Sequence, residues 1–242
     1  MPKATVETFT FHFDEDGDFI ADLTCKVDND GEATVDLVIT NSILLNENDC
    51  ALSGSFGDME ETCIEEGDSE SMSVNVGWGL KEGQLGSNKA VKATVGFDYY
   101  ERSAPVTLIE GPLPKDHETV SEIKSVESPL DCCAVTGATV TQTEPDDDND
   151  VNVSAKIGIQ NTSETEMLKF DLKTVLVDKK GNHTEVDAHT DDVMPRETRM
   201  YEASMYVKKG KAKGATLKLQ FSRYELLGRE RIEANASEGS GD

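Results

Sequence analysis

The sequence contains two related copies of one long segment. Residues 14–18 read Asp-Glu-Asp-Gly-Asp and return 132 positions later, at 146–150, as Asp-Asp-Asp-Asn-Asp. At the same offset Asn29 matches Asn161. A repeated segment of about 100 residues has the size of a domain rather than of a solenoid repeat. The chain is therefore predicted to form two similar domains.

Hydrophobic residues alternate with polar ones along most of both copies. Phe9, Phe11 and Phe13 lie on one face of an early segment. Near the end of each copy, the segment 97–101 recurs as 221–225, at an offset of 124. A period of two is typical of half-buried β-strands. About seven short strands per copy, separated by turn-forming residues, predict an all-β fold of two similar antiparallel, immunoglobulin-like β-sandwich domains in tandem.

The domain boundaries are predicted from the two copies and from the prolines between them. The first domain is expected at 1–103 and the second at 134–233, joined by a proline-containing linker at 104–133. Within the linker, residues 119–128 fit either a short helix or an additional strand. The small, acidic residues at 234–242 predict a disordered tail.

The second copy carries several short motifs in a fixed order. Ile-Gln-Asn-Thr at 159–162 is followed by Phe-Asp-Leu at 170–172 and by Val-Leu-Val-Asp-Lys-Lys-Gly at 175–181. Met-Pro-Arg-Glu-Thr at 194–198 comes next. It is similar to a Pro-Gly-Glu-Thr turn in which Arg196 replaces the glycine. This set resembles bacterial immunoglobulin-like domains of the FxLYD type. The resemblance implies a sandwich that serves adhesion, assembly or scaffolding, and it brings no catalytic residues.

The chain is strongly acidic. Its 48 Asp and Glu residues against 23 Lys and Arg residues give a net charge of −25, which predicts repulsion from nucleic acid and from anionic membranes. The first residues lack the apolar core of a signal peptide, and no apolar run approaches membrane-spanning length. We therefore expect a cytoplasmic or particle-associated protein with no nucleic-acid partner and no membrane insertion.

Two acidic clusters are candidate Ca²⁺ sites, because each places carboxylates at alternate positions, as oxygen ligands of calcium often are. The residues are Asp14, Asp16, Asp18, Asp146, Asp148 and Asp150. Their spacing departs from that of an EF-hand loop, which has its glycine later and a bidentate Glu at its end. The alternative interpretation is a pair of acidic turns, each preceding a strand.

Two further features are candidate protein contacts. The single tryptophan, Trp78, lies between two glycines and fits either a core anchor or an aromatic side chain that faces a partner. The basic residues gather in one cluster in the second copy, formed by Lys208, Lys209, Lys211 and Lys213. They form either a solvated loop or a surface that docks onto the acidic surface of a neighbouring copy, building a head-to-tail assembly.

The sequence has no pattern of a catalytic site. It lacks a Ser/His/Asp or Cys/His grouping, a nucleophile elbow and a phosphate loop, and it points to no small-molecule substrate. Cys25 matches Ile157 of the second copy and is expected in the core. The sequence therefore predicts a non-enzymatic structural or protein-interaction module. A calcium-responsive binding protein and an enzyme with a site between the domains are the alternatives.

Overall fold

The computed structural model describes residues 2–85, 90–114, 131–188, 190 and 192–237, without the side chains of 56–60, 90 and 237. The strands are β1 (Lys3–Phe13), β2 (Phe19–Asp28), β3 (Val35–Leu45), β4 (Ala51–Ile64), β5 (Ser69–Ser73), β6 (Ala90–Arg102), β7 (Val106–Pro112), β8 (Cys133–Gln142), β9 (Asp150–Asn161), β10 (Phe170–Val177), β11 (His183–Ala188), β12 (Thr198–Lys208) and β13 (Thr216–Ser237). One turn of α-helix, α1 (Lys209–Ala212), follows β12, and a 3₁₀ turn at Glu82–Gln84 lies between β5 and β6. Across these described residues, no helix has the length and apolar character needed to span a membrane.

The predicted all-β fold is confirmed. The strand pairs with a defined register are antiparallel, and their sheets form sandwich-like layers. The chain divides into two compact units: unit 1 combines Met1–Arg102 with Glu225–Asp242, and unit 2 is Ser103–Tyr224.

Unit 1 contains two sheets that share one core. Its first sheet has the strand order β1-β2-β5, and its second has the order β4-β3-β6 followed by the part of β13 that belongs to this unit. Phe11 and Leu23 of the first sheet and Phe97 of the second are at most 1% exposed and belong to one hydrophobic cluster. The alternating strands predicted from the sequence therefore point one face of each sheet into this core.

Unit 2 repeats that strand order. Its first sheet runs β8-β9-β12, and its second runs β11-β10-β13, with β7 pairing on β13. Ile157 of the first sheet and Leu172 and Phe221 of the second belong to a separate hydrophobic cluster. Ile157 is fully buried, as is its counterpart Cys25 in unit 1, so the prediction that Cys25 is a core residue is confirmed. Burial also raises the pKa of the Cys25 thiol to about 11, which keeps this thiol protonated at neutral pH.

In each unit, the strand that pairs last on the second sheet comes from an unexpected part of the sequence. Strand β7 follows β6 directly, yet it pairs with the first part of β13 in unit 2, from Thr216↔Pro112 to Phe221↔Val106. The part of β13 from Glu225 onward is the neighbour of β6 in unit 1. Unit 1 is therefore completed by residues from the far end of the chain.

These findings correct the predicted boundaries. The expected linker at 104–133 contains β7, a strand of unit 2, and residues 225–233 belong to unit 1 rather than to the second domain. The expected tail at 234–242 is ordered as a strand through Ser237, with Ala234 and Ala236 buried against the unit 1 core. The predicted element at 119–128 lies outside the described residues.

The matched asparagines Asn29 and Asn161 fill the same structural position. Each is at most 1% exposed, and each side-chain amide donates to backbone carbonyls, including Ile64 O at 3.1 Å for Asn29 and Val193 O at 2.9 Å for Asn161. Each side-chain oxygen also accepts the backbone N–H two residues later. Buried carbonyls need such donors, so this pair is a structural element of the repeat.

Candidate protein-interaction surfaces

The acidic cluster of unit 1 is a hairpin turn organised by its first aspartate. Asp14 N donates to Asp18 O at 3.0 Å, and Asp14 Oδ1 accepts the backbone N–H of Asp16 at 3.0 Å and of Asp18 at 2.8 Å. Gly17 has φ +73°, a left-handed conformation that glycine adopts readily. One oxygen of the first carboxylate is therefore occupied by the turn itself.

The acidic cluster of unit 2 forms the same turn. Asp146 Oδ1 accepts the N–H groups of Asp148 at 3.0 Å and Asp150 at 2.8 Å, and Asp146 N donates to Asp150 O at 2.8 Å. Asn149 replaces Gly17 and keeps a left-handed φ of 61°, which asparagine tolerates better than most residues. The geometry agrees with the acidic-turn interpretation of both clusters.

The same turn joins β3 to β4 and β10 to β11. Asn46 Oδ1 accepts from Asn48 N at 2.9 Å and Cys50 N at 3.0 Å, and Asp178 Oδ1 accepts from Lys180 N at 2.7 Å and Asn182 N at 2.9 Å. These two turns are again 132 residues apart. Within the described part of the chain, no group of three or more His, Cys, Asp or Glu side chains is arranged to hold a metal ion.

In both units a lysine pairs with the acidic turn; it follows β5 in unit 1 and ends β12 in unit 2. Lys81 Nζ lies 2.5 Å from an Asp18 carboxylate oxygen, and Glu82 N donates to Gly17 O at 3.1 Å. In unit 2, Lys208 Nζ lies 2.9 Å from Asp150 Oδ2, and the next N–H of the chain donates to Asn149 O at 3.0 Å.

The Lys208–Asp150 ion pair changes how strongly Lys208 holds its proton. The hydrogen bond to Asp150 raises the pKa of Lys208. Lys208 therefore pairs within its own unit, and the exposed Lys211 and Lys213 are better placed to contact a partner.

Residues 77–82 of unit 1, here the tryptophan loop, hold Trp78 in solvent. The Trp78 side chain is 90% exposed, so the expectation of a core anchor is wrong. Gly77 and Gly79 have φ of 73° and 75°, and these left-handed residues turn Trp78 outward. A Cβ on Gly77 would lie 2.5 Å from the buried Phe19 ring, so the backbone there packs directly on the core.

The tryptophan loop lies beside the acidic turn. Phe19 N donates to Leu80 O at 3.0 Å, in addition to the Lys81–Asp18 contact. On the other side, Ser53 Oγ donates to Trp78 O at 3.4 Å. Asp14, Glu15 and Asp16 of the adjoining turn are exposed, so the turn that contacts the tryptophan loop carries exposed negative charge.

The segment of unit 2 that begins at Lys208, the counterpart of Lys81, covers residues 208–213 and is here called the lysine loop. Ala212 of α1 is 1% exposed and anchors the loop to the core, whereas Lys211 and Lys213 are exposed. Lys179, from the β10–β11 turn, packs across Gly214, where an added Cβ would meet its aliphatic chain.

The structure therefore adds a lysine from another turn to the predicted cluster. Lys179 lies 29 residues before Lys208 in the sequence, and only the fold brings it to the lysine loop. Its sequence neighbour Lys180 is also exposed. The positive surface of unit 2 is consequently wider than the sequence cluster indicates.

No family model and no curated protein matches the sequence. Among solved structures, one match is the structure of infectious bursal disease virus Gx strain, at 7% sequence identity and a TM-score of 0.26. The match covers 97% of this chain and 70% of that chain. A TM-score this low carries no argument about fold or function.

Proposed function

We propose that this chain is a non-enzymatic structural module that assembles with further copies of itself through the lysine loop. The observation that supports the proposal is the exposed lysine surface of unit 2, on a chain that is otherwise strongly acidic. The tryptophan loop and the lysine loop are each tied to an acidic turn by a Lys–Asp pair, Lys81–Asp18 and Lys208–Asp150. The tryptophan of unit 1 precedes the lysine of its pair, whereas the lysine loop continues beyond Lys208, so the two units present different side chains around the same contact.

The charge distribution supports a second copy as the partner. On a chain of net charge −25, a surface with several exposed lysines is attracted to most of the surface of another copy. Lys211 and Lys213, with Lys179 and Lys180 nearby, form that surface on unit 2. Complementary charge favours encounter and fixes orientation, and a lysine surface that meets a different surface on the next copy gives a head-to-tail contact.

The proposal is tested by sedimentation velocity over a range of protein concentrations and salt. We expect the mean mass to rise with concentration and to fall as salt screens the attraction. The opposite salt dependence, with mass rising in salt, would indicate only relief of self-repulsion and would contradict the proposal.

The matched variants separate local charge from total charge. Changing Lys209, Lys211 and Lys213 to Glu should abolish assembly, while Lys208 is kept because it holds the Asp150 turn. The control variant changes Lys3, Lys26 and Lys156 to Glu. These lysines lie on strands β1, β2 and β9, and the change alters the net charge by the same amount. Equal loss of assembly in both variants would overturn the role of the lysine loop.

A further inference from the structure

We infer that the tryptophan loop of unit 1 is the surface that receives the lysine loop of a second copy. This inference rests on the proposed function and deepens it by assigning the receiving surface. Three observations carry it: the exposure of Trp78, the rigidity of its attachment, and the acidic residues beside it.

Trp78 has the properties of a contact residue. Its side chain is 90% exposed, although burying a tryptophan provides one of the largest apolar areas of any side chain. Its backbone is held on both sides, since Gly77 packs on Phe19 and Ser53 donates to Trp78 O. A large aromatic group held in this way loses little conformational freedom on binding, as is typical of residues that dominate interface energies.

The surroundings of Trp78 select a cationic partner. Asp14, Glu15 and Asp16 are exposed on the turn that contacts the loop, and they disfavour an acidic partner. A lysine ammonium binds to the face of an indole ring through a cation–π interaction, and neighbouring carboxylates strengthen that attraction. The lysine loop of unit 2 supplies such ammonium groups, since Lys211 and Lys213 are exposed.

The pairing has a geometric consequence for assembly. Because one chain carries both surfaces and they are different, each copy can receive one neighbour and dock onto another. Such a heterologous contact continues from copy to copy until it closes as a ring or extends as a filament. Blocking either surface on one copy therefore leaves that copy able to make a single contact.

The deciding experiment mixes two full-length variants. Trp78→Ala removes the receiving aromatic, and the Lys209, Lys211 and Lys213 to Glu variant removes the docking lysines. Each variant alone should stay monomeric, with self-affinity reduced tenfold or more, roughly the effect of an interface hot spot. An equimolar mixture should form a 1:1 complex and nothing larger, because only one junction is intact.

The mixture also gives a spectroscopic readout of the junction. Trp78 is the only tryptophan of the chain, so in the mixture all tryptophan fluorescence comes from the lysine variant. We expect its emission to shift to the blue and its acrylamide quenching to fall when Trp78→Ala chains are added. Tyr206→Ala, which removes another aromatic side chain that is 72% exposed, should assemble like the wild type.

Charge reversal tests the acidic flank. Changing Glu15 and Asp16 to Lys should abolish assembly, and combining this change with the lysine-to-Glu variant should restore it. The equivalent change of Asp147 and Asp148, at the same positions of the unit 2 turn, is the matched control and should not restore assembly. If the Asp147 and Asp148 changes restored assembly as well as the Glu15 and Asp16 changes do, the assignment of the receiving surface would be overturned.

Failure of the inference is distinguishable from failure of the proposed function. If the wild type assembles and loses assembly only with the lysine variant, while Trp78→Ala assembles normally, the lysine loop docks elsewhere and this inference is overturned. If a mixture of the two variants stays monomeric, this inference is overturned as well. If the wild type itself stays monomeric at every concentration, both proposals are overturned.

Discussion

Tyr99 Oη donates a hydrogen bond of 2.7 Å to Glu230 Oε2, across 131 residues of sequence. The same carboxylate oxygen accepts the backbone N–H of Ala4 at 2.8 Å. Glu230 therefore links β13 to both β6 and β1 within unit 1. Burial, followed by the hydrogen bond to Glu230, raises the pKa of the Tyr99 hydroxyl well above its usual range, so this group remains a donor at all physiological pH values.

Removing this carboxylate should destabilise unit 1. Glu230→Ala leaves the Tyr99 hydroxyl and the Ala4 N–H without their acceptor, at a cost of about 1–3 kcal/mol for each buried group. Glu230→Gln keeps an acceptor oxygen and should cost less. Chemical denaturation of both variants measures the difference, and equal stabilities would show that the bond contributes nothing.

The two units should differ in how they behave as fragments. Residues 103–224 are contiguous and should unfold cooperatively alone. Residues 1–102 lack the neighbour of β6 and the buried Ala234 and Ala236, and should not. A synthetic peptide of residues 225–237 added to the 1–102 fragment should give a saturable gain of β-sheet circular dichroism. A 1–102 fragment that folds cooperatively without the peptide would contradict the strand assignment.

The two glycines beside Trp78 should respond differently to alanine. Both have left-handed φ, where an L-residue costs about 1–2 kcal/mol. Only at Gly77 would the new Cβ meet the Phe19 ring, at 2.5 Å, whereas nothing lies within 4 Å at Gly79. We expect Gly77→Ala to cost a further ~1–3 kcal/mol of unfolding free energy for overpacking. Equal losses in chemical denaturation would show that Phe19 moves aside without cost.

The turn at Asp178 should make stability depend on acidic pH. Hydrogen bonds from the Asn182 side chain and backbone, and from Lys180 N, lower the pKa of Asp178. A lowered folded-state pKa gives stability that is present above the unfolded pKa of about 4 and is lost as the pH falls through the folded value. Asp178→Asn should therefore be less stable than the wild type at neutral pH, with the gap closing in acid.

A natural control for that variant exists in unit 1. The equivalent residue there is Asn46, whose neutral side chain makes the same two turn hydrogen bonds. Thermal unfolding at several pH values compares Asp178→Asn with the wild type and with Asn46→Asp, which should gain the pH dependence. A gap that stays constant from neutral pH into acid would refute this role of Asp178.

Calcium should have no specific effect on stability. Asp14 Oδ1 and Asp146 Oδ1 each accept two backbone N–H groups, and Asp18 and Asp150 each pair with a lysine. We expect CaCl₂ and NaCl of equal ionic strength to raise Tm equally, by screening self-repulsion. A concentration-dependent rise with Ca²⁺ alone would support the calcium-binding interpretation of these turns.

The sequence contains enough local information to predict the strands and the turns. Alternation placed Phe9 and Phe11 in the core, and both are buried. The repeat correctly paired Cys25 with Ile157. The same alternation does not identify every residue that faces the core. In β2, Phe19 is buried and its neighbour Ile20 is 43% exposed.

Other features depend on pairing between distant residues, which no local pattern encodes. Strand β13 continues past Tyr224 through Arg229, Glu230 and Arg231, a polar stretch that gives no indication of its neighbour β6. Glycines next to Trp78 suggested close packing of the tryptophan. The decisive property was their left-handed backbone, which becomes visible only in three dimensions.

Strand β13 also inverts the order in which a nascent chain can finish its units. Domains generally fold from the N-terminal end as synthesis proceeds. Here every strand of unit 2, including β7, has been made once residue 224 emerges from the ribosome, whereas unit 1 still lacks residues 225–237. The half of the protein that is translated first is therefore completed last, and until then its β6 edge is open to any strand that comes near.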